Sequence, residues 1–365
     1  MSEAATPGAP PPRRRRRRLP PEVRWVLLVV LLGATLYVVL PELAGARKSL
    51  SDLGHLDIAY VILGVGLEAG ALGAYAQLTH TVLPPGAVRR PRLLRINMSS
   101  LAVSHVVPGG TAPATGLSYR LLTESGVAGP DAAFGLAIQG AGSAVVLNAL
   151  LGLALVVSIF VHGYNPLYGV AAGIGALLMA SFGAVVYLLL RNRPRPAEFI
   201  RRLAARIPFV DEDAAAHALT RIVERLRSLL SDRPLLVRAI GWAAANWLLD
   251  AASLWVFIAA FHTLISPIDL LVAYGLANVL AVIPITPSGL GVIEGVLIPT
   301  LAGFGVAKEK AVLAVVGYRL VNFWLPIPIG GLCYLSLRLG ARRSAAAAGP
   351  QASSRRPPAP GPGPP

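Results

Sequence analysis

The chain has 365 residues, a mean hydropathy of +0.62, 55% hydrophobic residues and only 14% charged ones, against roughly 25% charged in an ordinary soluble domain, which excludes a soluble enzyme. Its single cysteine, Cys333, excludes an internal disulfide or a Cys-rich metal cluster, and no phosphate loop of the Gly-x-x-x-x-Gly-Lys-Ser/Thr type is present. Thirty-three Lys and Arg against 18 Asp and Glu give a net charge of +15, and where those charges lie decides what they mean.

Residues 1–21 are Pro- and Ala-rich and carry Arg13 to Arg18 in one run, a composition predicting a disordered cytoplasmic tail. Val23 to Leu40 is nearly uncharged and predicts a first membrane span; a cleavable signal peptide is the rival reading, which the later apolar segments disfavour. Those segments run Ile58–Leu83, Ala132–Phe160, Leu167–Leu190, Leu235–Leu264 and Ala311–Leu337, each long enough to span. Two more, Ile96–Val127 and Leu270–Val306, are interrupted by Pro108-Gly109-Gly110-Thr111-Ala112-Pro113 and by Pro284-Ile285-Thr286-Pro287-Ser288-Gly289-Leu290-Gly291. Proline removes a backbone donor and glycine frees the chain to turn, so each should be helix, turn and half-helix. The loop at 191–233 carries ten arginines and six acids and predicts an amphipathic helix on the cytoplasmic surface, held by anionic lipid. Residues 341–365 form a second disordered Pro- and Ala-rich tail, and 22–340 the transmembrane domain between the two tails.

Twenty-six of the 33 basic residues lie in 1–24, 84–95, 191–233 and 338–365. Cytoplasmic connections carry the excess of Lys and Arg, which places both termini inside. The expected fold is therefore all-α, with six spanning helices and two opposed re-entrant hairpins, or eight spans if both broken segments cross. Sliding the chain by 179 positions aligns the two broken segments without a gap, with 11 of 32 positions identical between 101–132 and 280–311. Matched breakers on opposite faces are the mark of an inverted-repeat transporter with its site near the midplane.

Arg120-Leu121-Leu122 after the first hairpin and the run PSGLGVIEG (Pro287 to Gly295) resemble the transmembrane, flippase-like region of bacterial lysylphosphatidylglycerol synthases and their stand-alone relatives. The resemblance covers roughly residues 23–340. It implies a bacterial inner-membrane protein that moves lipid between leaflets. Only a Pro-, Ala- and Ser-rich tail follows Leu339, so the synthase domain and lipid aminoacylation are not expected. Many relatives carry Gly-Glu before the arginine, where this chain has Thr115-Gly116.

The candidate substrate-binding residues are Gly109, Gly110 and Thr111, where a half-helix would aim free N–H groups at a phosphate, with Ser288 and Gly289 at the matching turn. Arg120 either binds a headgroup phosphate or snorkels to the surface. Glu294 either serves function or caps its half-helix, and His105 could hydrogen-bond substrate or nearby backbone. Glu68, Asp250, Arg319 and Asn322 must face the bundle interior, as a buried ion pair or as groups that titrate during transport. Asn97 and Asn278 are expected to bond between helices. The expected activity is transport of an anionic lipid or lipid-linked intermediate, with no catalytic step, cofactor or metal. A membrane scaffold or accessory subunit for an envelope-lipid enzyme is the alternative. Expected partners are that lipid substrate, anionic membrane lipids, and a homo-oligomer or an envelope-lipid enzyme; nucleic acid is not expected.

Overall fold

A computed structural model describes residues 57–162 except Pro108, 231–281 and 286–347, with scattered helical positions between 173 and 228 and with side chains described as far as Gly340. Among the described residues the chain is helical, with turns and no strand. The elements are α1 (Ile58–Val82), α2 (Arg90–Val106), α3 (Thr111–Thr123), α4 (Gly129–Ala137), α5 (Ser143–His162), α6 (Arg233–Ala259), α7 (Pro267–Leu280), α8 (Val292–Gly303), α9 (Lys308–Arg319) and α10 (Pro326–Ala347). A π-helical turn, Ile138–Gly142, fuses α4 to α5, and a second, Leu320–Trp324, fuses α9 to α10.

Four helical stretches are long and apolar enough to cross a membrane: Ile58–Val82, Gly129–Val161, Arg233–Ala259 and Lys308–Gly340. They match four of the six expected spans; of the other two, 23–40 lies outside the described residues and 167–190 is described only at scattered helical positions. Residues 1–56, 348–365 and nearly all of the 191–233 loop also lie outside them, and the tail expected from 341 is helical as far as Ala347. The outer faces are apolar and bare, with Ile62, Phe160, Val237 and Leu332 all exposed. In water such faces would drive aggregation; in a bilayer they meet lipid. The expected span to Leu264 stops early at Ala259. His262 turns the chain in the left-handed region (φ 52°), and Trp255 Nε1 donates to Ile265 O at 3.0 Å across the bend. Conversely, α2 starts six residues before the expected Ile96, because Pro91 sits in its first turn, where a missing N–H costs nothing.

Each broken segment holds two helical arms, α2 and α3 in the first and α7 and α8 in the second, on either side of a break whose Pro108, Pro284 and Ile285 lie outside the described residues. In the first, Ser118 Oγ donates to Ser100 Oγ at 2.7 Å, and Leu121 and Leu122 cluster with Leu93 and Ile96. The arms α2 and α3 are therefore antiparallel, and the chain leaves near where it came in. The second pairs α7 with α8, with Ala281 pressed against Gly289 across the turn. None of the four arms exceeds 17 residues, about 26 Å at 1.5 Å per residue, which is short of a hydrocarbon core of about 30 Å.

The 179-residue offset recurs in the fold. The two fused helices start 179 positions apart, at Gly129 and at Lys308. Arms α3 and α8 stop in the same way: Val127 N donates to Leu122 O at 3.2 Å, and Val306 N to Leu301 O at 3.1 Å, over Gly126 (φ 95°) and Gly305 (φ 91°). This six-to-one closure needs a residue in the left-handed region, which glycine enters without a steric penalty. The four side chains that meet there are buried, so matched letters in the sequence are matched helix stops.

The equivalent helices α1 and α6 pack along their length. Ser253 Oγ donates to Gly64 O at 3.0 Å, Gly70 lies against Leu249, and Leu78 and Val82 pack on Ala239 and Ala243. Numbers rise on one as they fall on the other, so the pair is antiparallel. The halves also exchange partners, α2 packing on α10 and α7 on α5. At the closest approach of α2 and α10, a Cβ on Gly330 would stand 2.2 Å from Met98 O, whereas one on Gly331 would meet nothing within 4 Å. Gly330→Ala should therefore cost about 1–3 kcal/mol and Gly331→Ala nothing comparable, as read by thermal unfolding of the two variants in detergent.

Candidate functional site

The turns of the two hairpins meet. Ser288 Oγ, in the second turn, donates to Ser104 O at 3.0 Å, next to the first turn. Ser288 has φ 44° and Gly289 φ 69°, and a Cβ on Gly110 would fall 2.0 Å from Ser104 O, so the first turn closes only around a bare backbone. Gly109 and Thr111 are exposed on the outside of that turn.

Beside this meeting point lies a cavity of about 330 Å³ walled by both halves, with Glu68, Asp250, Arg319, Asn322, His105 and Ser288 in its lining. Arg319 ends α9 and Asn322 sits one turn on, in the π-helical turn. Arg319 Nε donates to Glu294 Oε1 in an ion pair whose side chains are both 5% exposed. Glu294 Oε2 accepts the N–H of Gly291 at 2.6 Å. Glu294 therefore caps α8, which begins at Val292, and it also neutralises Arg319. The guanidinium lies 4.6 Å over the Phe323 ring, and Nη1 reaches Asn322 Oδ1 at 3.5 Å. Its remaining nitrogen, Nη2, is buried without a hydrogen-bond partner.

Asn322 Nδ2 donates to Glu68 Oε1 and to Asp250 Oδ1, each at 3.1 Å. Asp250 also accepts from Tyr318 OH at Oδ1 (2.7 Å) and Tyr274 OH at Oδ2 (2.6 Å), which ties α6 to α7 and α9. The cluster thus sets three carboxylates against one guanidinium. His105 Nδ1 lies 2.9 Å from Phe323 O; since a carbonyl only accepts, Nδ1 carries the proton. Its ring stacks on Phe323 with centroids 4.4 Å apart.

The far wall is polar but uncharged. Thr79 Oγ1 accepts from Asn97 Nδ2 at 3.0 Å and from Gln139 Nε2, joining α1, α2 and the first π-helical turn. Trp247 Nε1 donates to Ser143 O and Oγ, both at 2.9 Å. Both π-helical turns reach this cavity, in line with the frequent placing of such turns at functional sites.

Glu68, Asp250, Glu294, Arg319, Asn322, His105 and Ser288 thus come together as one site. Arg120 does not join them: it pairs with Glu124 at 2.7 Å on the exposed end of α3. Asn97 bonds between helices, while Asn278 Nδ2 bonds Tyr274 O within its own helix. Sequence reasoning missed Tyr274, Tyr318, Thr79 and Gln139. The available signal was a tyrosine inside an apolar helix, whose hydroxyl must find a partner.

Comparison with known proteins agrees with the resemblance read from the two hairpin motifs. The family described as the lysylphosphatidylglycerol synthase TM region matches residues 25–330. A UPF0104 membrane protein of Methanothermobacter thermautotrophicus is 29% identical over 113 residues, which is 31% of this chain and 33% of that protein. The inner membrane protein YbhN of Escherichia coli is 28% identical over 101 residues, 28% of this chain and 31% of that protein. Each match therefore spans about a third of the relative's length.

Proposed function

Because the chain belongs to the family of the lysylphosphatidylglycerol synthase TM region, we propose that it carries a lipid with an anionic headgroup phosphate between the leaflets of a bacterial inner membrane. The carrying observation is Arg319 Nη2, a buried donor without a partner in the lining of the cavity where the two hairpins meet. A buried cationic donor left unpaired is costly, and a phosphate oxygen is the acceptor that fits it. A cavity of about 330 Å³ takes a headgroup, water occupying about 30 Å³, while the acyl chains stay in the lipid.

In this reading the chain has six spans and its termini in the cytoplasm. The hairpins enter from opposite faces, so that the repeat is inverted. The antiparallel packing of α1 on α6 and the short hairpin arms support that topology. Arg120, at the outer end of α3, receives the headgroup at the membrane surface.

The test is reconstitution of the full chain into liposomes carrying a fluorescent phosphatidylglycerol in one leaflet, followed with a membrane-impermeant quencher. Wild type should move the label well above protein-free vesicles. The double variant Arg319→Gln/Glu294→Gln, which removes both charges together, should fall to background. An inert wild type, or a double variant moving lipid at the wild-type rate, overturns the proposal.

A further inference from the structure

If an anionic headgroup binds Arg319, the surrounding acids raise a question of charge. Arg319 is already neutralised by Glu294, and Asp250 and Glu68 add two more carboxylates. The hydrogen bonds separate these two. Asp250 accepts three hydrogen bonds, from Tyr274, Tyr318 and Asn322, so both of its oxygens have a donor. Glu68 is different. It is 4% exposed, Oε1 takes one bond from Asn322, and Oε2 is buried with no partner while the residue lines the cavity. A bare anionic oxygen there is far more costly than a neutral O–H.

We infer that Glu68 is a proton-binding site coupled to the headgroup site: the cavity accepts the anion together with one proton, carried on Glu68 Oε2. The inference rests on the transport reading for the coupling, and on the geometry of Glu68 alone for the proton. The step is a proton transfer: a hydronium ion from bulk solvent gives up one O–H bond and becomes water as the O–H bond on Glu68 Oε2 forms, and the negative charge so removed makes room for that of the phosphate.

The other titratable groups around the cavity leave this role to Glu68. Glu294, on α8, is held by Arg319 and the Gly291 N–H. Tyr274 on α7 and Tyr318 on α9 donate their hydroxyl protons to Asp250. Tyr75, on the same helix as Glu68, is a neutral phenol in the lining. His105, on α2, shares the Phe323 ring with the Arg319 guanidinium, so a second cation there would meet the first. The sign of the coupling follows. Anion affinity is greatest at low pH and falls, about tenfold per pH unit for one linked proton, once pH rises through the titration of Glu68.

Two measurements on the full chain in detergent test this. In the infrared, lipid-free wild type should show the carbonyl stretch of a protonated carboxyl group that is lost as pH rises, absent in Glu68→Gln and retained in Asp250→Asn and His105→Gln. Its absence from wild type, or its survival in Glu68→Gln, overturns the proton site. Calorimetric binding of phosphatidylglycerol at a pH above that loss, compared in buffers of different protonation heat, should report uptake of one proton per lipid by wild type. Glu68→Gln should bind with none, at an affinity that no longer falls as pH rises. Equal uptake by both proteins overturns the coupling. A wild type that binds no phosphatidylglycerol overturns the transport reading and the coupling together, and the infrared result still decides whether Glu68 holds the proton.

Discussion

Arg319→Gln alone is expected to unfold far more readily than wild type, and adding Glu294→Gln is expected to restore much of the loss. The single change leaves Glu294 ionised, 4% exposed, and bonded only to the Gly291 N–H. Breaking a buried pair on one side costs about 3–5 kcal/mol, because the charge left behind keeps its desolvation penalty without its partner. The double change removes both charges, keeps an oxygen at position 294 for the α8 cap, and leaves two amides able to bond each other. Thermal unfolding in detergent reads the order directly: wild type first, double variant close behind, single variant well below. A single variant as stable as wild type would mean that the pair contributes nothing to holding α8 against α9.

Asp250 makes a comparable case from the other side of the cavity. Asp250→Leu strips the acceptor from Tyr274 OH and Tyr318 OH and removes one of the two acceptors of Asn322. Each buried donor so abandoned costs about 1–3 kcal/mol. Asp250→Asn keeps one acceptor oxygen and should lose less. Tyr274→Phe and Tyr318→Phe in the Leu background should return stability, since removing both partners of a buried bond is close to neutral. If the triple variant is no more stable than Asp250→Leu alone, the loss comes from packing against Leu and not from orphaned hydroxyls.

The lipid-facing skeleton was readable in the chain because a spanning helix announces itself by length and apolarity, and the hairpin turns by clustered Pro and Gly. The repeat was readable at Leu122, Gly126 and Val127 against Leu301, Gly305 and Val306, whose spacing the helix stop itself requires. The charged half of the site was readable too, since Glu68, Asp250, Glu294 and Arg319 are ionisable residues in apolar stretches and have few places to go. The rest left weaker traces. Tyr274 and Tyr318 pass for apolar bulk until their hydroxyls are seen on Asp250. The π-helical turns change register without changing composition, so Gln139 could not be aimed at the cavity from periodicity, whereas Asn322 was read from its i, i+3 spacing to Arg319. Arg120 stood out as a charge near a hairpin, yet Glu124 lies four residues on, the spacing at which helical ion pairs form.

The antiparallel embrace of α1 and α6 bears on how the two halves correspond. Two copies of one unit packed antiparallel along α1 and α6 each offer the other the same face, so what one half presents at a position its counterpart presents from the opposite direction. The two copies need not be alike in detail: at the tip of the fold the aligned positions hold Gly109 in one half and Ser288 in the other.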